Sequence, residues 1–351
     1  MHALTFGGKE IIHYSTVNDP VLLQPTDVIV KITKAGLCGS DLHVYHGRET
    51  GLDHGTVMGH EFTGIIEEAG KDVKKFKKGA KVLSPFTTSC GECFYCSIGL
   101  TCRCEKGSLF GWVEKDHGLH GAQAAYIRVP MADSTLLPLS NDLDEEKGLL
   151  LGDIFSTGYF CADKAEIKPG GIYAVIGCGP VGLMAILAAK HLNCSTLFAI
   201  DVVPERLAMA AKFGAIPLNP LFVDVKETIR QHTAGRGADA ILELAGNEQS
   251  LRLAIELVRP GGIISSASVH TEKNFSFSPG EVYDKNLVYK SGRCPAHFYA
   301  EKLIREEVAQ KLPIEEIITH RLPLTEGVKA YDIFAKRKEN CIKVILLPHE
   351  L

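Results

Sequence analysis

The 351-residue sequence has no dense run of basic residues beyond the short Lys74–Lys78 cluster, and its formal net charge is −4. Nucleic acid and anionic membranes are therefore not expected partners, and the cluster reads as a solvated turn between strands. The first ten residues, MHALTFGGKE, lack the basic-then-apolar order of an export signal and the Arg/Ser-rich character of a transit peptide. A cytoplasmic protein is the expectation. Internal repeats and low-complexity segments are absent, and tryptophan occurs once, as Trp112. One uncharged stretch of 18 residues, Ile172–Ala189, is long enough for a membrane span. Gly177, Gly179, Pro180 and Gly182 fall within it and would break a spanning helix, so no span is expected.

What is present is ordinary for a globular chain with a sizeable core: 45% hydrophobic and 23% charged residues, at a length that suggests about two domains. Cysteine is the exception. Eleven cysteines without an export signal point to metal or catalysis rather than disulfides. Cys90, Cys93, Cys96 and Cys104 form C-x2-C-x2-C-x7-C. Four thiolates at that spacing can close a tetrahedral shell with no open position, which describes a structural zinc site. Cys102 is a spare that competes for the fourth place.

The stretch Ile172–Asp201 carries a second signal. A β-branched run, Ile172–Ile176, precedes Gly177-Cys178-Gly179-Pro180-Val181-Gly182; an apolar helical run and a second strand follow, ending at Asp201. Gly177 permits the turn, Gly179 lets a pyrophosphate approach the backbone, and Gly182 lets the helix pack on the sheet. Amides at the helix N-terminus, including those after Pro180 and Val181, then face negative charge. Asp201, 19 residues beyond Gly182, is placed to accept hydrogen bonds from a ribose and to repel a 2′-phosphate, which favours NAD. Strand and helix patterns alternate from 172 to about 290, which predicts a doubly wound parallel sheet of Rossmann type. The tail reads as two helices, about 298–310 and 324–338, and a strand over 341–347.

The first third is β-rich and different in character. Cys38 and His60 are zinc-type donors. Each alone would more often be a core residue, but Gly39-Ser40-Asp41-Leu42-His43 and Gly59-His60-Glu61 surround them with further polar chemistry. Asp153 stands in an apolar segment, where a buried carboxylate needs a partner or a metal. Residues 141–147 are polar and acidic, as expected near a domain boundary.

Taken in order and at their spacings, Cys38-Gly-Ser-Asp-x-His43, Gly59-His60-Glu61, the four-cysteine lobe, Asp153 with Ser156-Thr157-Gly158, and the glycine turn resemble the zinc-dependent medium-chain dehydrogenase/reductase family. The pattern is most similar to members with an aspartate third ligand, such as bacterial secondary alcohol dehydrogenases and glutathione-independent formaldehyde dehydrogenases. The resemblance covers essentially the whole chain. It implies a GroES-like catalytic domain over 1–152, an NAD-binding domain over 153–290, and a return to the catalytic domain over 291–351, with the catalytic zinc in the cleft between them.

By that resemblance Cys38, His60 and Asp153 bind the catalytic zinc, with Glu61 beside it as an intermittent fourth ligand. Cys161, inside the following helix, is the alternative third ligand. Zinc lowers the pKa of an alcohol, and hydride passes to NAD. Ser40 and His43 match the proton relay; their bland roles are a helix cap and a surface histidine. Thr157 and Arg206 are expected near the cofactor, and Arg293 near the pyrophosphate or a subunit interface. Phe86 and Trp112 match positions that line the substrate pocket.

Two zinc ions per chain and a homodimer or homotetramer complete the expectation. The implied activity is NAD-dependent oxidation of a small alcohol or reduction of the matching carbonyl. Three alternatives are open: a formaldehyde dehydrogenase or dismutase with tightly held NAD, a threonine- or polyol-type dehydrogenase, and a zinc-depleted binding protein.

Overall fold

The structure is a computed structural model, and it describes residues 1–350. The chain divides into two compact units: Met1–Ser156 joined by the chain from Pro295 onward, and Thr157–Cys294. These limits differ from the expected ones by a few residues. Asp153, expected at the start of the cofactor domain, falls in the first unit. The acidic stretch 141–147 lies shortly before the limit at Ser156 and opens a helix. Asp144 caps a helix, Glu145–Gly152, by accepting from the Glu146 and Lys147 amides.

The first unit is built on a seven-stranded sheet. Its main path runs Ile318–Pro323, Lys343–Leu347, Val28–Leu37, Phe62–Ala69, Lys81–Ser84, Leu137–Pro138, and Tyr126–Val129 also pairs with Val28–Leu37. Val28, Val30 and Ile32 alternate along the ten-residue central strand and enter a core with Phe62, Ile66, Val82 and Ile127. The last strand, Lys343–Leu347, lies antiparallel to the central one with Val344 opposite Leu37. That register carries Lys343 to the chain segment that bears Cys38.

The second unit is a six-stranded sheet in the order Ile216–Leu218, Thr196–Ile200, Ile172–Ile176, Ala238–Glu243, Val258–Ser266, Val288–Ser291. Every pairing is parallel. In order of appearance this is 3-2-1-4-5-6, the dinucleotide-binding arrangement, with its crevice at the carboxyl ends of the first and fourth strands. The uncharged 172–189 stretch is the first strand, the glycine turn and most of the buried helix Pro180–His191. Among the described residues no helix is long and apolar enough to cross a membrane.

Candidate active site

Three local features hold the first donor group in place. Cys38 caps the helix Gly39–Tyr45 at the end of the central strand, and its amide donates to Asp41 Oδ2 at 2.9 Å. His60 and Glu61 enter the strand Phe62–Ala69 from the Gly59 turn, which has φ +89°. Asp153 ends the helix Glu145–Gly152.

The result is a buried cluster. The ligand atoms of Cys38, His60, Glu61 and Asp153 all lie within 4.8 Å of one another. Cys38 Sγ is 3.4 Å and His60 Nε2 3.3 Å from Asp153 Oδ2, and Ser40 Oγ is 3.2 Å from His60 Nε2. The opposite ring nitrogen, Nδ1, faces Asp41 Oδ1 at 3.3 Å. Phe86 meets the His60 ring edge-on, with centroids 6.4 Å apart.

The electrostatics show a site with negative charge to spare. Burial, then Asp153 and Glu61, push the Cys38 thiol up to about 11. Burial opposes charge on His60, but Asp41, Asp153 and Cys38 outweigh it and hold the imidazole well above its ordinary value. Burial likewise works against the Asp153 carboxylate, yet His60 and Lys343 keep it below the usual range. Burial raises Glu61 despite the opposing Lys343 charge. Among the described residues Glu61 Oε1 is buried without a hydrogen-bond partner. A thiol, an imidazole nitrogen and carboxylate oxygens converging on one point, with an orphaned carboxylate oxygen, fit a divalent cation with mixed S/N/O preference. Cys161 is not part of this cluster. It donates to the Ser265 carbonyl at 3.4 Å, inside the second unit, and burial raises its thiol to about 12.

The second donor group is the lobe. The sulfurs of Cys90, Cys93, Cys96 and Cys104 also lie within 4.8 Å of one another, and Cys102 is outside the set. The Cys90 amide donates to Cys104 Sγ at 3.2 Å and the Cys93 amide to Cys90 Sγ at 3.4 Å. Donors aimed at sulfur suit thiolates that share a metal. Amides of Glu105 and Cys96 lower the Cys93 thiol to about 6, whereas burial raises Cys96 to about 12.

In the second unit, Gly177 adopts φ +90° at the end of the first strand. A Cβ on Gly182 would run into the Gly177 carbonyl, so only glycine permits this approach of helix and turn. Asp201 acts on the backbone. Its Oδ2 accepts from the Cys178 amide at 2.7 Å, and its Oδ1 from Val202 and Val203 at 2.7 and 2.9 Å. It thereby ties the glycine turn to the end of the second strand. Arg206 Nη1 lies 3.9 Å from Asp201 and near Gly179. Thr157 is buried at the start of this unit, and Arg293 is exposed.

The remaining expected residues divide. His43 is half-buried, three residues after Ser40 on the same short helix. Trp112 sits in a small hairpin, Trp112–Glu114 with His117–Leu119, and packs against the core of the first unit. Only Phe86 of the two pocket candidates is found against His60.

Sequence reasoning missed Lys343. Its ammonium is fully buried, donates to the Leu37 carbonyl at 2.8 Å, and forms an ion pair with Glu61. The signal was a lysine within the apolar run Cys341–Leu347, since a charge so placed requires a partner.

A dinucleotide-type parallel sheet and a β-rich unit with two metal-type donor clusters, one of mixed donors and one all-thiolate, define a metal-dependent oxidoreductase. Comparison with known proteins agrees. Residues 24–140 match the alcohol dehydrogenase GroES-like domain and residues 180–305 the zinc-binding dehydrogenase model. Zinc-type alcohol dehydrogenase B of Aspergillus flavus is 41% identical over 337 residues, covering 91% of this chain and 75% of that protein. The uncharacterized zinc-type alcohol dehydrogenase-like protein AdhB of Bacillus subtilis is 33% identical over 380 residues, covering 99% and 100%. The structure of alcohol dehydrogenase TADH from Thermus sp. ATN1 superposes with a TM-score of 0.92 at 38% identity, covering 99% of each chain. The chain belongs to the zinc-dependent medium-chain dehydrogenase/reductase family.

Proposed function

We propose that this chain is an NAD-dependent alcohol dehydrogenase in which Cys38, His60 and Asp153 hold a catalytic zinc and Cys90, Cys93, Cys96 and Cys104 a structural one. The observation that carries this reading is the buried mixed cluster, whose four ligand atoms lie within 4.8 Å of one another. Glu61 is the further oxygen ligand of that centre, anchored on its other side by Lys343. When bound, zinc supplies a Lewis acid that makes an alcohol proton removable near neutral pH, and NAD supplies the hydride acceptor.

The chain's own residues supply the rest. Ser40, beside His60 Nε2, receives the proton that leaves the alcohol. His43, on the same face of the helix, carries it outward, a task suited to an imidazole, whose two ring nitrogens can accept and pass on a proton. Phe86 gives the site an apolar wall and favours a small primary or secondary alcohol. In the second unit Gly177–Gly182 cradles the pyrophosphate. Asp201, with its carboxylate at the end of the second strand, selects the unphosphorylated ribose, and Arg206 and Thr157 line the same cofactor site. The protein works in the cytoplasm as a homodimer or homotetramer.

Metal analysis and turnover test the reading together. About two zinc per chain are expected in the purified protein, and Cys38→Ala should lose about one of them along with turnover. A Cys38→Ala protein with full activity overturns the assignment. NADP that supports turnover as well as NAD overturns the role given to Asp201.

A further inference from the structure

Behind His60, on the side away from Cys38 and Asp153, a chain of buried polar groups leads to the C-terminal part of the first unit. Asp41 uses both oxygens. Oδ1 faces His60 Nδ1 at 3.3 Å, and Oδ2 accepts from the Cys38 amide at 2.9 Å and from Gln123 Nε2 at 3.3 Å. Gln123 Nε2 also donates to the Gly36 carbonyl at 3.3 Å, and Gln123 Oε1 accepts from the Tyr331 hydroxyl at 2.9 Å. Gln123, Asp41 and Tyr331 are all buried.

The direction of every bond in this chain is determined. A carbonyl and a carboxylate can only accept, so the Gln123 NH2 must point at Gly36 and Asp41. Its oxygen then points at Tyr331, whose phenol must donate. Burial and the nearby Asp41 charge push that phenol well above its ordinary value, so it keeps its proton.

The side chains have little freedom to depart. The backbone of Gln123 is also held: its N–H donates to the Met58 carbonyl and its backbone carbonyl accepts from the Leu4 N–H, both at 2.8 Å. Gly59, directly before His60, packs so closely on Gln123 that an added Cβ would lie 2.5 Å from its Cγ. The Tyr331 ring, on the helix Gly327–Lys336, lies 5.5 Å from that of Tyr45, the last residue of the helix that carries Asp41.

We propose that Gln123 and Tyr331 are positioning residues for His60: Tyr331 holds Gln123, Gln123 holds Asp41, and Asp41 fixes the imidazole with Nε2 toward Cys38 and Asp153. This rests on the reading of His60 as a metal ligand. A ligating histidine is aimed by what its other nitrogen bonds to, and loss of such an outer partner typically lowers metal affinity or activity by about 10–100-fold. Here the aiming group is itself held by two further side chains, one of which comes from the C-terminal segment.

The test measures zinc release from the holoenzyme to a colorimetric chelator, with total zinc counted, for three variants. Gln123→Met removes the donor at similar volume. Gln123→Glu keeps the shape but sets a carboxylate against Asp41. Tyr331→Phe removes a single oxygen and is the least disruptive to folding. Release from the Cys38/His60 centre should quicken about 10–100-fold in both Gln123 variants and about tenfold in Tyr331→Phe. The all-cysteine site serves as the internal control and should release zinc at the wild-type rate. In the cobalt-substituted enzyme the visible absorption band of the mixed site should shift, and kcat should fall with little change in KM for the cofactor.

Release rates and spectra within twofold of wild type in all three variants overturn the proposal, even where the unfolding midpoint drops, because that pattern describes packing alone. His60→Ala separates the two levels of the argument. If it keeps both metals, the reading of His60 as a ligand fails and the positioning role with it. If it loses one while the Gln123 variants release normally, only the positioning role fails.

Discussion

Replacing Lys343 by methionine removes one charge from the interior and leaves nearly the same volume. Lys343 and Glu61 are both fully buried, and the lysine also satisfies the Leu37 carbonyl. Methionine keeps the aliphatic stem but strands the Glu61 carboxylate, one oxygen of which has no other hydrogen-bond partner among the described residues. Breaking a buried ion pair from one side costs about 3–5 kcal/mol. At roughly 2–4 °C per kcal/mol for a unit of this size, the melting temperature should fall by about 6–20 °C.

The partner experiment is the double variant Glu61→Gln with Lys343→Met. It removes both charges at once and should recover much of the loss, because no unpaired ion is left inside. Chemical and thermal unfolding of zinc-replete protein, with zinc content checked in each variant, gives both numbers. A Lys343→Met protein within about 1 kcal/mol of wild type refutes the argument, since that value belongs to an exposed pair. So does a double variant no more stable than the single one.

Three shorter tests follow from other parts of the structure. Gly182→Ala drives a methyl group into the Gly177 carbonyl; a loss of about 1–3 kcal/mol and weaker cofactor binding are expected, measured by unfolding and by cofactor titration. Cys96→Ser opens the all-cysteine site and should lose about one zinc per chain, with proteolysis starting near the lobe; unchanged zinc content counts against that site.

The third test concerns Glu243, which accepts from His270 at 3.0 Å and from Ser250 and Ser266. Its hydrogen-bond partner Glu243 raises His270, and Glu243 itself lies below its ordinary value because His270 and Ser250 outweigh burial. The histidine's contribution is complete below its ordinary value of 6.5 and disappears as pH rises through the raised one. The carboxylate's contribution is complete above 4.5 and disappears as pH falls through the depressed value. His270→Asn should therefore destabilise most between those two ordinary values and progressively less at alkaline pH. A stability difference independent of pH contradicts the pairing.

Several elements were misjudged from sequence, and each for a tertiary reason. The sequence reads as helical over Phe160–Glu166, whereas the helix runs Ile154–Lys164. Ser156-Thr157-Gly158 lowers helix propensity there, but Gly158 is where the helix packs against the next: an added Cβ would lie 2.6 Å from the Ala185 amide nitrogen. The strand Ile318–Pro323 was not anticipated. Its ITHRLP composition shows no clean alternation, and it forms because Lys343–Leu347 offers a parallel edge.

The chain on its own determined the donor types and the dinucleotide turn. Short ligand spacing makes the four-cysteine lobe a local property, and so does the strand–glycine–helix–acid order of Ile172–Asp201, because backbone geometry and side-chain chemistry act within a few residues. What surrounds His60 was decided by the fold. Asp153 meets Cys38 across 115 residues, Tyr331 meets Gln123 across 208, and Lys343 meets Glu61 across 282. No periodicity links such positions. They converge because the chain returns after the second unit and adds its last strand beside Val28–Leu37, and burial there requires each polar group to be paired inside the protein.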